Sequence, residues 1–230
     1  MIRYFNDLEQ GSPEWLAARC GLITASEVKL ILTPTLKAAN NDKSRAHFWE
    51  LLSQRISRYV EPRFVTDDML RGQVDEIEAR SLYEQHYAPV QEVGFITNDR
   101  WGFTIGYSPD GLVGGDGAIE CKSRRQRFQV ETILRYIEDR VIPEDFILQV
   151  QTGLLVSERE WIDLVSYSGG LPLVVIRAYP DPKIQNAILE AASGFEQWAS
   201  HQLDRYRSVL SYAPNRLIPT ERKIEVEMFA

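Results

Sequence analysis

The sequence predicts an α/β fold of the α+β type, in which helices flank a central mixed β-sheet. Three observations favour it: helical spacing of apolar residues in the first 87 positions, β-rich runs between residues 90 and 122, and two later β-rich runs followed by an amphipathic helix. The chain has 230 residues, of which 44% are hydrophobic and 26% are charged. A chain of this size encloses a proper core, and we expect one domain over residues 1–230.

The N-terminal part contains two short helical signals. Residues 12–20 begin with Ser12, a good N-cap, followed by Pro13 at the first helical position. A second helix is predicted to begin near Thr24, because the run T-A-S-E places Glu27 three residues later, as in a capping box. We therefore expect two consecutive helices before residue 34.

Two longer helices are expected next, at residues 44–59 and 67–87, where apolar residues recur at helical spacing. In the second of these helices, Glu76 lies beside the expected buried face. The residues that mark this face are Leu70, Val74, Ile77 and Leu82.

The pattern changes to β-strands between residues 90 and 122. The runs V-Q-E-V-G-F-I-T and W-G-F-T-I-G-Y-S are separated by the hairpin signal N-D-R, and the run G-A-I-E-C-K follows a glycine-rich turn. We expect these runs to form three antiparallel strands that pair in sequence order.

The rest of the chain supplies the other elements. Helices are predicted at residues 127–140 and 144–156, and strands at the runs W-I-D-L-V-S-Y-S and L-P-L-V-V-I-R-A-Y-P. A long amphipathic helix is predicted from residue 181 to about residue 209. We expect the last twenty residues to form either an extended tail or a late strand.

The charge distribution leaves two interpretations open. A net charge of -7 argues against nucleic-acid binding, because phosphate contacts need Lys and Arg. One segment departs from this average, since K-S-R-R-Q-R at residues 122–127 has four basic residues and no acidic one. This segment is either a solvated loop or part of a surface that faces DNA.

Composition also disfavours several classes of protein. Cys20 and Cys121 are the only cysteines, too few for a zinc or iron–sulfur cage, and we expect both to be small buried residues. The three histidines are scattered, which argues against a histidine metal site. No apolar run approaches the ~18 residues that span a bilayer, and the N-terminus lacks the form of a signal peptide. We therefore expect a cytoplasmic protein without a membrane partner.

Residues 108–122, S-P-D-G-L-V-G-G-D-G-A-I-E-C-K, place charged groups at two strand ends. Alternate residues of a strand share a face, so Glu120 and Lys122 point the same way while Cys121 points into the core. A short hairpin brings Asp110 back beside Glu120. Two carboxylates in one place repel unless a cation lies between them, and Mg²⁺ prefers such oxygen ligands. Lys122 beside that ion would hold or activate a water for phosphodiester hydrolysis.

The residue pattern alone leaves a second interpretation open. Glu-x-Lys is very common, and in this interpretation Glu120 and Lys122 form an ordinary charge pair on an exposed strand face. By the same standard, Glu76 is a solvated residue at the edge of a helix face. The pattern by itself does not decide between a metal site and a surface ion pair.

Four motifs, in a fixed order, carry a family resemblance. The spacing P-D, nine residues, E-C-K at residues 109–122 matches the loose PD-(D/E)xK nuclease signature. The other three motifs are W-L-A-A-R-C-G-L-I-T-A-S-E-V at residues 15–28, R-G-Q-V-D-E-I-E-A-R at residues 71–80, and Q-V-Q at residues 149–151. Together they resemble the lambda exonuclease (YqaJ-like viral recombinase) branch of that superfamily.

The resemblance covers residues 15–151 and implies a fold with a restriction-endonuclease-like PD-(D/E)xK core. It implies that residues 1–230 form a single nuclease domain. Residues 160–230, the C-terminal strands, helix and tail, resemble the family only in general terms.

The resemblance also implies a metal site. Asp110 and Glu120 would be metal ligands, with the main-chain carbonyl of Cys121 beside them. Glu76 would complete the metal shell directly or hold a ligand water. Lys122 would orient or deprotonate the attacking water. The implied ion is Mg²⁺, for which Mn²⁺ would substitute, with two ions present during catalysis.

A pocket for the 5′-terminal phosphate of DNA is a further implication. Arg19 would bind the phosphate, with hydrogen bonds from Ser26, Ser108 and Gln149. A planar guanidinium suits a phosphate dianion, and Ser26 lies near an expected helix start, where free N–H groups favour anions. Trp15, one turn before Arg19, packs either near this pocket or in the core.

The implied function is a Mg²⁺-dependent 5′→3′ exonuclease that acts on the ends of double-stranded DNA. It would release 5′-mononucleotides and leave 3′ single-stranded overhangs for recombination by strand annealing. The implied partners are two further copies, in a homotrimeric ring, and a single-strand annealing protein, inside a bacterial or phage-infected cell.

Two alternatives remain at this point. One is an endonuclease or a nuclease–helicase component built on the same core. The other is a catalytically silent DNA-binding or adaptor module. The intact set of Asp110, Glu120 and Lys122 argues against the silent module, because grouping three costly polar side chains has no purpose there.

Overall fold

The computed structural model describes residues 1–62, 66–213 and 216–222, and within these residues eight strands form two four-stranded sheets. The strands are β1 (Ile2–Phe5), β2 (Ile23–Thr24), β3 (Phe95–Asn98), β4 (Ile105–Tyr107), β5 (Gly111–Val113), β6 (Gly117–Ser123), β7 (Trp161–Tyr167) and β8 (Val174–Ala178). The helices are α1 (Pro13–Arg19), α2 (Asp42–Ser57), α3 (Asp67–His86), α4 (Gln126–Tyr136), α5 (Glu144–Ser157) and α6 (Pro182–Tyr212).

Both sheets are mixed. The first has the strand order β1-β3-β4-β2 and the second the order β5-β6-β7-β8. Strands β2 and β4 pair in parallel, as do β6 and β7, and the other neighbours are antiparallel. The predicted α/β class, with mixed strands and flanking helices, is confirmed.

The pairing of the three predicted meander strands differs from expectation. Strands β3 and β4 pair antiparallel as predicted, but β6 pairs with β5 and β7 and lies in the other sheet. The break falls at Pro109, which has no N–H to continue a ladder. The chain leaves the first sheet after Tyr107 and enters the second at Gly111.

The helix predicted from Thr24 is wrong. Ile23 and Thr24 form strand β2, and a short 3-10 helix, Val28–Leu30, is all that follows. The Glu27 carboxylate accepts a hydrogen bond from Thr24 Oγ1 at 2.9 Å, so it is engaged by a side chain instead of capping a helix. Pairing with β4 decides the conformation here, because both β2 residues are buried against that strand.

The buried face of α3 also differs from the prediction. The predicted residues Leu70, Val74 and Ile77 are exposed, and Leu82 is only half-buried. The helix packs on β6 and β7 through Ala79 and Tyr83. Ala79 lies two positions after Ile77, which is about 200° around a helix, so the buried side is nearly opposite the predicted one. Glu76 lies one turn before Ala79 and is carried toward the sheet.

Helix α5 lies in the centre of the main core. Its residues Val150 and Leu154 are buried and pack against strands of both sheets, with α6 on the outer side. The predicted helices at residues 144–156 and 181–209 are confirmed, and Asp181 caps α6 by accepting hydrogen bonds from Lys183 N and Ile184 N.

The C-terminal prediction is tested only in part. Residues 216–222 contain no strand, and residues 214–215 and 223–230 lie outside the described residues. Within the part of the chain that the structure describes, no helix combines the length and the apolar character needed to cross a membrane.

Candidate active site

The hairpin between β5 and β6 sets Asp110 against the strand that carries Glu120. The Asp110 N–H donates to Ile119 O at 3.3 Å, and its Oδ2 accepts a hydrogen bond from the Cys121 N–H at 2.5 Å. Asp110 is 8% exposed and Glu120 is 2% exposed. Two carboxylates that the sequence separates by nine residues therefore lie in one buried site.

Three side chains donate hydrogen bonds to the Glu120 carboxylate. Lys122 Nζ donates to Oε1 at 2.6 Å, Gln149 Nε2 donates to the same oxygen, and the Tyr107 hydroxyl donates to Oε2 at 3.0 Å. Strand alternation puts Lys122 on the same face as Glu120, while Gln149 comes from α5 and Tyr107 from β4. These contacts fix both oxygens of Glu120.

Glu76 reaches this cluster from α3. Glu76 and Asp110 line one cavity, and Arg80, one turn along, lies 4.0 Å from Glu76 Oε1. Burial raises the pKa of Glu76, and Glu120 adds to the rise. Burial also raises the pKa of Asp110 well above its ordinary value, with further contributions from Glu120 and Glu76. Simultaneous ionisation of Asp110 and Glu76 is therefore disfavoured in this buried site.

Lys122 is the cation of this cluster. Burial lowers its pKa, but the neighbouring Glu120 and Asp110 charges outweigh burial, and the pKa is raised overall. The ammonium group is therefore charged at neutral pH. Its Nζ also lies 5.7 Å from the centre of the Phe146 ring on α5.

The two cysteines have different environments. Cys121 is buried between the second sheet and α3, as expected, whereas Cys20 is only half-buried. Neither forms a disulfide. The Cys121 thiol therefore packs in the core. The Cys121 backbone belongs to the site, because its N–H donates a hydrogen bond to Asp110.

The donor chemistry of the site suits a hard divalent cation. Across residues 1–62, 66–213 and 216–222, no three His, Cys, Asp or Glu side chains are already grouped with the geometry of a metal cage. Asp110, Glu120 and Glu76 offer carboxylate oxygens, and burial, followed by the neighbouring carboxylate charges, raises the pKa of Asp110 and of Glu76. A cation with oxygen ligands would relieve this repulsion.

A small cavity adjoins the carboxylates. Its volume of about 20 Å³ is too little for a nucleobase. The lining combines the four residues predicted to bind phosphate with β-strand and loop residues: Arg19, Thr24, Ala25, Ser26, Phe95, Tyr107, Ser108 and Gln149. The structure thus brings Arg19, Ser26, Ser108 and Gln149 together.

Arg19 is held in this cavity by its own neighbours. Its guanidinium stacks 4.2 Å from the centre of the Trp15 ring, donates to Thr24 Oγ1 at 3.0 Å and pairs with Glu27 at 3.4 Å. The Trp15 indole N–H in turn contacts Ser108 Oγ at 2.9 Å. Trp15 therefore belongs to the pocket, one of the two places that the sequence left open for it.

Two contributors were not predicted as site residues. Tyr107 lines the cavity and binds Glu120, and Glu27 pairs with Arg19. A tyrosine within a buried strand is a signal for Tyr107, since a buried hydroxyl needs a hydrogen-bond partner. For Glu27 the capping-box pattern concealed the ion pair, because the pattern fits a helix that does not form.

Comparison with known proteins places this geometry in a family. The model of the YqaJ-like viral recombinase domain matches residues 14–160, which include every residue named above as a metal-site or phosphate-site candidate. The chain belongs to this family. YqaJ-like membership implies a nuclease, in agreement with the buried carboxylates and lysine.

Solved structures agree with membership in the YqaJ-like family. The chain is similar to the alkaline exonuclease LHK-Exo from Laribacter hongkongensis, with 28% identity and a TM-score of 0.75 over 87% of this chain and 98% of that one. The same enzyme in complex with dAMP matches with 31% identity, equal coverage and a TM-score of 0.75.

A more distant match adds only the fold. A phage-related exonuclease from Haemophilus somnus 129PT is 12% identical, with a TM-score of 0.55 over 80% of this chain and 96% of that chain. No curated protein is similar enough in sequence to count as a match.

Proposed function

We propose that this YqaJ-like protein is a Mg²⁺-dependent 5′→3′ exonuclease on double-stranded DNA. It removes 5′-mononucleotides from a DNA end and leaves 3′ single-stranded overhangs that serve recombination by strand annealing. The similarity to LHK-Exo supports this proposal, since LHK-Exo is an alkaline exonuclease and its structure in complex with the mononucleotide dAMP is known.

One observation carries the proposal. Gln149 lines the Arg19 cavity and also donates to Glu120, so one side chain belongs to both the anion cavity and the carboxylate cluster. A terminal phosphate in the cavity would leave the next phosphodiester bond near Glu120 and Lys122. This arrangement favours the removal of one nucleotide at a time from a phosphorylated 5′ end.

The proposed metal ligands are Asp110, Glu120 and the main-chain carbonyl of Cys121, with Glu76 binding directly or through a water. Mg²⁺ is the proposed ion, with Mn²⁺ as a substitute and two ions during catalysis. When bound, the metal would polarise the phosphodiester and stabilise the charge that develops on the leaving oxygen.

The protein's own groups supply position and protons. Arg19, with Ser26, Ser108 and Gln149, would hold the terminal phosphate by charge-assisted hydrogen bonds. The charged Lys122 ammonium would orient the attacking water and donate hydrogen bonds to the reacting phosphate. Tyr107 keeps one Glu120 oxygen fixed, so that the carboxylate does not rotate away from the reacting group.

Two features of the proposal concern partners. A homotrimeric ring around DNA would reconcile the net charge of -7 with a basic inner surface. A single-strand annealing protein would receive the 3′ overhang. Sedimentation at micromolar concentration tests the ring, which predicts a particle three times the mass of the 26.4 kDa chain, whereas a monomer would contradict it.

A digestion experiment separates the exonuclease from its alternatives. Linear and covalently closed circular duplexes are incubated with the protein in Mg²⁺ or in EDTA. The proposal predicts degradation of the linear duplex alone, and only in Mg²⁺. Cutting of the circle would indicate an endonuclease, and DNA binding without cleavage in any metal would indicate a silent module.

A further inference from the structure

The basic segment at residues 122–127 contains one arginine that is held rigidly beside the site. Arg124 follows β6, two residues beyond Lys122, and its backbone N–H donates to Tyr167 O at 2.7 Å. Its guanidinium lies near two aromatic rings, 5.0 Å from the centre of Phe128 and 4.9 Å from the centre of Phe146. A guanidinium that contacts aromatic faces can still offer its N–H edge to a ligand.

The charge of Arg124 is poorly compensated within the protein. Its side chain is 11% exposed, and the nearest carboxylate, that of the exposed residue Asp145, is 3.9 Å away. Among the described residues, Arg124 Nε is one of two buried side-chain nitrogens that find no hydrogen-bond partner. Burial lowers the Arg124 pKa, as expected for a cation that has lost water without gaining a close anion. This environment suits an anionic ligand.

Strand β6 and helix α5 set the order in which the charged side chains follow one another along the site. On α5, Gln149 contacts Glu120, and Phe146, one turn earlier, lies beside both Lys122 and Arg124. The polar groups of the site therefore form a row that runs from the Arg19 cavity past Glu120 and Lys122 to Arg124. Side chains two residues apart on a strand are ~6.6 Å apart along its axis, comparable to the separation of neighbouring phosphates in a nucleic-acid strand.

We propose that Arg124 binds the backbone phosphate between the second and third nucleotides of the strand being degraded. The terminal phosphate occupies the Arg19 cavity, the first internucleotide phosphate lies at Glu120 and Lys122, and the next one reaches Arg124. This assignment rests on the proposed function and adds a third phosphate contact to it. Arg124 is a positioning residue, which holds the strand in register for the next cut.

The surrounding segment fits this role. Arg127 is exposed, and its guanidinium also contacts Phe128, 4.4 Å from the ring centre. Arg125 is also exposed. Together with Arg124 they make the end of β6 and the start of α4 a basic surface on an acidic chain, which attracts the DNA strand as it leaves the site.

A modified substrate tests the register. The probe is a 5′-phosphorylated duplex with a neutral methylphosphonate at the linkage between the second and third nucleotides. Binding is measured by fluorescence anisotropy in EDTA, so that no cutting occurs, over a range of salt concentrations. For the wild-type protein the neutral linkage is expected to weaken binding roughly tenfold, as for the loss of one charged hydrogen-bonded contact.

Arg124→Met keeps apolar bulk beside the two rings, and Arg124→Lys keeps the charge. Arg124→Met is expected to bind the unmodified duplex roughly tenfold more weakly than the wild type. The slope of its log binding constant against log salt concentration should be smaller in magnitude by about 0.7–0.9. The neutral linkage should reduce the affinity of this variant little further. Arg124→Lys should retain part of the wild-type sensitivity. Arg135→Ala, an exposed arginine of α4 paired with Glu131, is the matched control and should resemble the wild type.

The outcomes are distinguishable. The assignment is wrong if the neutral linkage weakens the binding of Arg124→Met as much as that of the wild type. It is also wrong if Arg124→Met is insensitive instead to a neutral linkage between the first and second nucleotides. If the wild-type protein neither binds nor, in Mg²⁺, degrades the unmodified duplex, the proposed function itself fails. Thermal melting of each variant separates these results from a loss of folding.

Discussion

Gln149 donates a hydrogen bond from α5 to the Glu120 carboxylate on β6, while the same side chain lines the cavity that contains Arg19. The two parts of the site are therefore in direct contact, with no intervening residue. A phosphate held in the cavity is thereby placed at a fixed distance from the carboxylates. In the proposed function, this distance sets the size of the product at one nucleotide.

Replacing Arg19 should remove the preference for phosphorylated 5′ ends. Arg19→Ala is expected to lower the ratio of kcat/KM for 5′-phosphate over 5′-hydroxyl duplexes by roughly tenfold or more, because a charged contact to the phosphate is lost. Arg19→Lys keeps a charge beside Glu27 and should lose less. Arg45→Ala, at an exposed arginine on α2, is the control. An equal loss on both kinds of end would remove Arg19 from the pocket.

Trp15 should act through its indole N–H as well as its ring. In Trp15→Phe the aromatic face under Arg19 remains, but Ser108 Oγ and Gly94 O lose their donor. We expect a loss of about 1–2 kcal/mol in the free energy of unfolding and a reduced preference for 5′-phosphate. Trp49→Phe, at an exposed tryptophan of α2, provides the comparison. An unaltered preference despite lower stability would mean that Trp15 only packs.

The carboxylate cluster should make metal-free stability depend on pH. Burial, and then the neighbouring carboxylates, raise the pKa values of Asp110 and Glu76 above their ordinary values of 3.8 and 4.5. Groups with raised pKa values stabilise the fold while they are protonated, and this contribution is lost as pH rises through the folded-state values. In EDTA, the melting temperature should therefore fall as the pH rises above these ordinary values, and Mg²⁺ should reduce the fall.

Asp110→Asn isolates this effect. The amide oxygen can still accept the Cys121 N–H, while the repelling charge is gone. At pH 8 in EDTA the variant should melt higher than the wild type by about 2–4 °C, the shift that corresponds to 1 kcal/mol in a chain of this size. Calorimetric titration should show weaker Mg²⁺ binding. A variant that melts lower than the wild type under these conditions would contradict the charge repulsion.

Glu120→Gln and Lys122→Met should separate catalysis from folding. Each keeps the bulk of the side chain, and each is expected to lower kcat by about a thousandfold or more, because charge stabilisation at the reacting phosphate is lost. Circular dichroism and DNA binding in EDTA should remain close to those of the wild type. Wild-type cleavage rates in either variant would refute the assignment of the site.

The sequence was sufficient for features that depend on local pattern. Strand alternation put Glu120 and Lys122 on one face, and the hairpin length brought Asp110 back to them. Helices α5 and α6 were predicted closely, α5 from its apolar run and α6 from an apolar face that follows the helical period.

Features that depend on tertiary packing were not accessible in this way. The buried side of α3 is set by the Tyr83 hydroxyl, which donates to the buried Asp163 at 2.7 Å, and periodicity favoured the opposite side. Strand β2 exists because it pairs with β4, against its local capping signal. The Gln149 and Tyr107 contacts with Glu120 join three elements whose relative positions no local pattern encodes.

The polarity of degradation tests the central claim most directly. A linear duplex is labelled on one strand, at the 5′-terminal nucleotide in one sample and at the 3′-terminal nucleotide in another, and is sampled over time in Mg²⁺ and in EDTA. The account predicts that labelled mononucleotide appears at once from the 5′ label in Mg²⁺, while the 3′ label stays in long strands. Early release of the 3′ label, or labelled internal fragments, would contradict it.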